Sequence, residues 1–220
     1  MNQKSVFLQA LIVAAAIFII GILIGVYFEN LRVASMQDTF YESETKINDF
    51  ELSSKIIFQS NLSCDLIQQR SISFADQIYS EALILEKYDN SNQLTQRFMP
   101  LHKRYDLLRT ILWKDIIDNK KVCKNRINTV VYLYQYSNPP LEIQGVQGAM
   151  SNYLGDLKNK YGDNITLIPI AADTGLDSLD SIRQIYNLTK VPVIFVNEKY
   201  KVEDINDLKQ IDKYLSIKNS

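Results

Sequence analysis

Hydrophobic and polar positions follow three different rhythms along this 220-residue chain. The first is an unbroken run. Val6 to Phe28 is 23 residues long and apolar except for Gln9 and Tyr27. At the helical rise such a run reaches about 34 Å, enough to cross a hydrocarbon core of about 30 Å. The second rhythm is helical. Phe40, Ile47, Phe50 and Ile57 mark one segment, and Leu66, Phe74, Ile78, Ala82 and Leu85 a second. Leu101, Leu107, Leu108, Ile111, Leu112 and Ile116 mark a third. Apolar residues at such spacings share one helix face. No glycine lies between Gly25 and Gly145, so strands and tight turns lack their punctuation there. Breaks are expected at Ser60–Ser63 and at Asp89–Asn92, both clusters of turn and cap residues. Pro100 either kinks the third helix or begins it.

The third rhythm starts at Asn128. Thr129 to Tyr136 is rich in β-branched and aromatic residues and reads as a strand, broken by Ser137-Asn138-Pro139-Pro140. A helix is expected over 141–161, with Val146, Met150, Leu154 and Leu157 as its apolar stripe. A second strand follows over 165–172, and a second helix is marked by Leu179, Ile182, Ile185 and Tyr186. Val191 to Val196 reads as a third strand, Tyr200 to Val202 as a fourth, and Ile205 to Ile217 as a closing helix. The order β-α-β-α-β-β-α argues an α/β sheet covered by helices. The chain thus divides into a short terminus (1–4), a membrane helix (5–28), an all-α helical-hairpin region (29–127) and an α/β domain (128–220).

A helical hairpin turning near residues 90–93 pairs positions whose numbers sum to about 183–187. The two cysteines, Cys64 and Cys123, satisfy that relation and stand opposite each other at its open end. A disulfide there closes a loop of about 60 residues and stabilises by about 4 kcal/mol on the chain-entropy model. Such a bridge requires a compartment outside the reducing cytosol.

Charge and composition narrow the function. Lysine and arginine number 24 against 25 acidic residues, so no basic surface exists for nucleic acid. One histidine and two cysteines exclude zinc-finger and His-rich metal sites, and no metal or cofactor is expected. The phosphate-loop, dinucleotide, serine-hydrolase and zinc-protease motifs are absent from the sequence. Asp173, Asp177 and Asp180 read as residues that cap and precede a helix rather than as metal ligands. Asn61, Asn164 and Asn187 stand in glycosylation-type sequons. The apolar run is longer than a signal peptide's core and ends in bulky residues, which favours an uncleaved anchor. Lys4 precedes it, and the rest of the chain is expected outside the cytoplasm in a single-pass topology at the cell membrane. Ala10, Ala14, Gly21 and Gly25 share one face of this helix, a packing surface for a second copy within the lipid bilayer.

The segment Val191-Pro192-Val193-Ile194-Phe195-Val196-Asn197, with the strand and helix order around it, resembles the thioredoxin-like family over residues 128–217. The resemblance implies a thioredoxin-like fold with a cis-proline loop at Val191 and Pro192. It also implies an active-site loop at Ser137, Asn138, Pro139 and Pro140. The family's CxxC should stand there and does not, so the nucleophile of thiol exchange is missing. No general base lies near Ser137 in sequence. The expectation is a membrane-anchored, non-catalytic interaction or scaffold protein with an unidentified protein partner. The alternative is a thiol–disulfide oxidoreductase, or redox partner, using Cys64 and Cys123.

Overall fold

The computed structural model of the chain describes residues 3–59, 63–89, 95–123 and 127–215. It is mostly helical, with an apolar amino-terminal helix and a mixed four-stranded sheet in the carboxyl-terminal part. Two compact units divide near Lys55 and Ile56.

The first unit is built on helix α1, Gln3–Gln59, which continues without a break from the apolar run into the first amphipathic segment. Nothing interrupts it because neither glycine nor proline occurs between Val26 and Gln59. Leu11–Phe28 is long and apolar enough to cross a membrane, and none of it is buried within the protein.

The second unit starts with α2 (Cys64–Asp89) and α3 (Thr95–Cys123), which pack as a pair. Cys64 and Cys123 form a disulfide across the open end, with Cα atoms 5.5 Å apart. The breaks expected at Ser60–Ser63 and Asp89–Asn92 lie outside the described residues except for Ser63, just before α2, and Asp89, its last residue. Pro100 neither begins α3 nor ends it, for the helix starts at Thr95. Between the helices, Ser71 Oγ donates to Asp115 Oδ2 at 2.9 Å, and Asn119 Nδ2 donates to that same carboxylate oxygen at 2.8 Å. These polar groups are buried or half-buried and satisfy one another, as such groups must.

The sheet has the order β2-β1-β3-β4, from β1 (Asn128–Tyr134), β2 (Ile165–Ala171), β3 (Val193–Val196) and β4 (Tyr200–Val202). Strands β1 and β2 run parallel, joined through α4 (Leu141–Tyr161), as a parallel pair requires a crossover. Strand β3 is antiparallel to both β1 and β4. Alternation sends Val130, Tyr132, Ile194 and Val196 to one face. They pack there with Met150, Leu154 and Leu157 of α4 and with Leu208 and Ile211. The opposite face meets α3 and α5 (Asp177–Ile185); Trp113 of α3 is fully buried, edge-on to Phe195 at 6.2 Å.

Of the boundaries that differ from the sequence expectation, three have a clear local cause. Strand β1 stops at Tyr134, because the Gln147 side chain takes over both main-chain groups of Gln135, accepting at 2.8 Å and donating at 3.1 Å. Strand β3 starts at Val193, after a cis Val191–Pro192 peptide; proline has no N–H to give the ladder. The closing helix is a 3₁₀ segment, Ile205–Gln210, followed by a single turn, α6 (Ile211–Tyr214). The Asp204 side chain takes the Asn206 N–H at 2.8 Å, a local bond that favours the tighter turn.

Candidate functional site

The parallel strands β1 and β2 end together, and three segments converge at that end. The first is the loop after β1. Asn138 there has φ 47°, a left-handed conformation that asparagine tolerates. Side chains hold this loop from every side. Gln144 Nε2 donates to Pro139 O at 2.7 Å, and Gln135 Nε2 donates to Ser137 O at 3.2 Å. Asp173, just past β2, accepts from the main-chain N–H groups of Tyr136 (2.9 Å) and Ser137 (2.7 Å). Those amides form a small anion-binding nest, and a carboxylate of the chain itself fills it. Asp180 pairs instead with Arg183 at 3.2 Å and Asp177 opens α5, so the three aspartates have separate positions.

The second segment is Val191-Pro192. The β1–β3 register pairs Leu133 with Val193. Continuing it puts Pro192 beside Tyr134 and Val191 beside Gln135, one residue before the loop begins to turn. Pro192 is buried, Val191 half-buried, and Asn138 and Pro140 are exposed. The single histidine, His102 on α3, is half-buried, its ring 4.1 Å from that of Tyr136.

The third segment is α3 around Asp106. This residue is 2% exposed; its Oδ1 accepts from the Ala171 N–H at 3.0 Å and lies 3.8 Å from the Arg109 guanidinium. Its Oδ2 has no hydrogen-bond partner among the described residues. Burial pushes its pKa up to about 6, against the Ala171 amide and Arg109, which pull it down. Burial, reinforced by Asp106, also pushes the Tyr134 phenol up to about 12.

At the opposite end of the sheet lies a polar cluster that the sequence did not announce. The β3–β4 turn is Asn197-Glu198, both with positive φ (51° and 54°), as a tight two-residue hairpin demands. Glutamate is a poor residue for that conformation, and its side chain is engaged. Glu198 accepts from Trp113 Nε1 at 3.2 Å, from Lys120 Nζ at 2.6 Å and from Thr129 Oγ1 at 2.5 Å. Burial lowers the pKa of the Lys120 ammonium while Glu198 pulls it back up. The cluster keys α3 to the sheet.

Asp106 was missed because α3 is buried on more than the one face its leucines marked. The signal lay in Asp106, Thr110, Trp113 and Ile117, spaced four, three and four and all buried. Cys64 is exposed in the first turn of α2 and Cys123 is half-buried. In α1, Ala14, Gly21 and Gly25 are exposed, and a side chain at either glycine would meet nothing within 4 Å; the side chain of Ala10 lies outside the described set.

No family model, no curated protein and no solved structure matches this chain.

Proposed function

We propose that this protein is a single-pass, membrane-anchored interaction module whose thioredoxin-like domain faces outside the cytoplasm and performs no thiol chemistry of its own. The observation that carries this reading is the filled nest: the amides of Tyr136 and Ser137 are held by Asp173. Thioredoxins use helix-start amides at this point to lower a thiol pKa. Here the loop carries no thiol to stabilise, and its amides at Tyr136 and Ser137, ahead of the start of α4 at Leu141, are taken by Asp173.

The strand order, and the placement of Val191 and Pro192 beside the loop after β1, support the thioredoxin-like assignment. The apolar stretch Leu11–Phe28 supports the anchor, and the Cys64–Cys123 disulfide supports an oxidising compartment. The open glycine face of α1 supports helix–helix association in the bilayer. The main-chain groups of Val191 beside the rigid Ser137–Pro140 loop form the proposed contact for an extended partner segment. The test is affinity capture of the full chain from solubilised membranes, with wild type and Asn138→Trp compared. Partners retained by the wild type should be lost from Asn138→Trp, whose new ring fills the groove from an exposed position. Equal retention by both rules the groove out as the site.

A second reading rests on the exposed Cys64 in the first turn of α2. A thiolate of an external dithiol protein would attack Cys64 Sγ, expel Cys123 as thiolate and then resolve to its own disulfide, leaving this chain reduced. Its mark would be a mixed disulfide between Cys64 of the wild-type chain and a dithiol protein whose resolving cysteine is replaced by serine, with Cys123 released as a thiol; absence of any trapped species sets this reading aside.

A further inference from the structure

Strand β2 is an edge of the sheet, and its outward main-chain groups can be followed one by one. Ala172 N–H donates to Tyr134 O at 2.8 Å. With a period of two, the groups of Thr166, Ile168 and Ile170 also point to β1, and those of Ile165, Leu167, Pro169 and Ala171 point outward. Most of these outward groups are accounted for. The Ile165 N–H donates to Gly162 O, and the Ile165 carbonyl accepts from Lys158 at 3.3 Å. Pro169 has no N–H, and Ala171 N–H is taken by Asp106 at 3.0 Å. Between them, Leu167 N–H, Leu167 C=O and Pro169 C=O have no hydrogen-bond partner among the described residues.

Beside this open stretch lies a cleft of about 670 Å³, a volume typical of ligand sites. One wall is the β2 edge at Leu167. The other is Ile72, Ala75 and Tyr79 of α2, with Tyr105 and Arg109 of α3 also lining it. Helix α3 packs on β2, and α2 packs on α3. The helical layer therefore reaches one position beyond the last strand, and α2 presents apolar side chains where a fifth strand would lie. Of the charged groups lining the cleft, Arg109 lies 3.8 Å from Asp106, Lys158 lies 3.6 Å from Asp163, and Asp76 of α2 is exposed to solvent. Among the described residues an anionic occupant would be desolvated with no spare cation, and the one unpaired carboxylate, Asp76, is solvated, so the apolar wall of the cleft complements a neutral segment.

We infer that the β2 edge is a second binding site, taking an extended, uncharged, apolar peptide segment of a partner protein as a fifth strand under α2. An antiparallel segment makes three main-chain bonds. Leu167 N–H donates to it, Leu167 C=O accepts from the same residue, and Pro169 C=O accepts from the residue two before. Pro169 and the Asp106 cap limit the addition to this short stretch, which protects the edge from indefinite pairing. This site is independent of the loop at Ser137–Pro140.

The probe is the neutral pentapeptide acetyl-VTVTV-amide, added to the full chain in detergent and read by hydrogen exchange. The Leu167 amide should exchange freely without peptide and slow by about tenfold or more at about 1 mM peptide. The same peptide with every amide N-methylated should give no slowing. Ala75→Trp, which fills the cleft from α2, should abolish protection, whereas Asn138→Trp should leave it intact. A Leu167→Pro variant should weaken binding severalfold, read by titration calorimetry, because it removes an outward N–H that the ladder does not use. Should that variant fail to fold, Ala75→Trp and the methylated peptide still decide. No protection in the wild type, or equal protection by the methylated peptide or in Ala75→Trp, overturns the site.

Discussion

The sheet has two covered faces, and they are held differently. Against α4 the centre of the contact is hydrocarbon, Met150, Leu154 and Leu157 meeting Val130, Ile194 and Val196, and the bonds of Gln147 to Gln135 and of Lys158 to Ile165 reach main-chain groups at its margins. Against α3 the directed bonds come from side chains buried within the contact itself. Trp113 and Lys120 reach Glu198 at one end of the sheet, and Asp106 takes the Ala171 amide at the other. Apolar packing is non-directional and tolerates sliding. Directed bonds at both ends of a helix do not. The α3 face therefore fixes where the disulfide-closed hairpin stands relative to the sheet, and so where α2 overhangs the β2 edge.

Substitutions on the two faces test that contrast. The largest loss is expected for Trp113→Ala, about 3–5 kcal/mol in denaturant unfolding, since a fully buried ring and a hydrogen bond disappear together. Met150→Ala on the α4 face should cost about 2–4 kcal/mol, with no change in the exchange of α2 amides beyond that global loss.

The next effect is a pH dependence. Asp106 has a pKa of about 6 in the fold, above its ordinary value of 3.8. The native state therefore holds this proton more tightly than the unfolded chain does. The corresponding stability is full below about pH 4 and is lost as pH rises through about 6, roughly 3 kcal/mol in all. Asp106→Asn can still accept from Ala171 and does not titrate, so its stability should fall less between pH 4 and 7. Identical slopes for the variant and the wild type would mean that Asp106 is not the group responsible.

Smaller effects follow at the two loops. Glu198→Gln keeps the shape of the turn but leaves the Lys120 ammonium without its counter-ion, at a cost of about 1–2 kcal/mol. Asp173→Ala frees the amides of Tyr136 and Ser137 at a partly solvated site, at a cost of about 1 kcal/mol, with faster hydrogen exchange confined to residues 136–140.

Much of this arrangement was legible in the chain. The absence of charge over Val6–Phe28 announced the apolar helix, and antiparallel arithmetic alone paired Cys64 with Cys123. Strand and helix periods gave the α/β order because local rhythm and tertiary burial agree there. What stayed hidden depends on contacts distant in sequence. Nothing beside Glu198 foretells that a helix 78 residues earlier will supply Lys120. Asp106 looked like one more polar residue on an amphipathic helix, because only the sheet gives α3 its second buried side. The short 3₁₀ ending at Ile205–Gln210 turned on the Asp204 cap, a local bond that period alone does not weigh.

The central claim is that the unit from Ile56 onward works outside the cytoplasm, anchored by its apolar helix. Proteinase added to intact cells, followed by detection with an antibody to the last residues, addresses it in one step. The account predicts that the carboxyl-terminal signal disappears while a cytoplasmic control protein stays intact. Full protection of that signal until the membrane is permeabilised would contradict it.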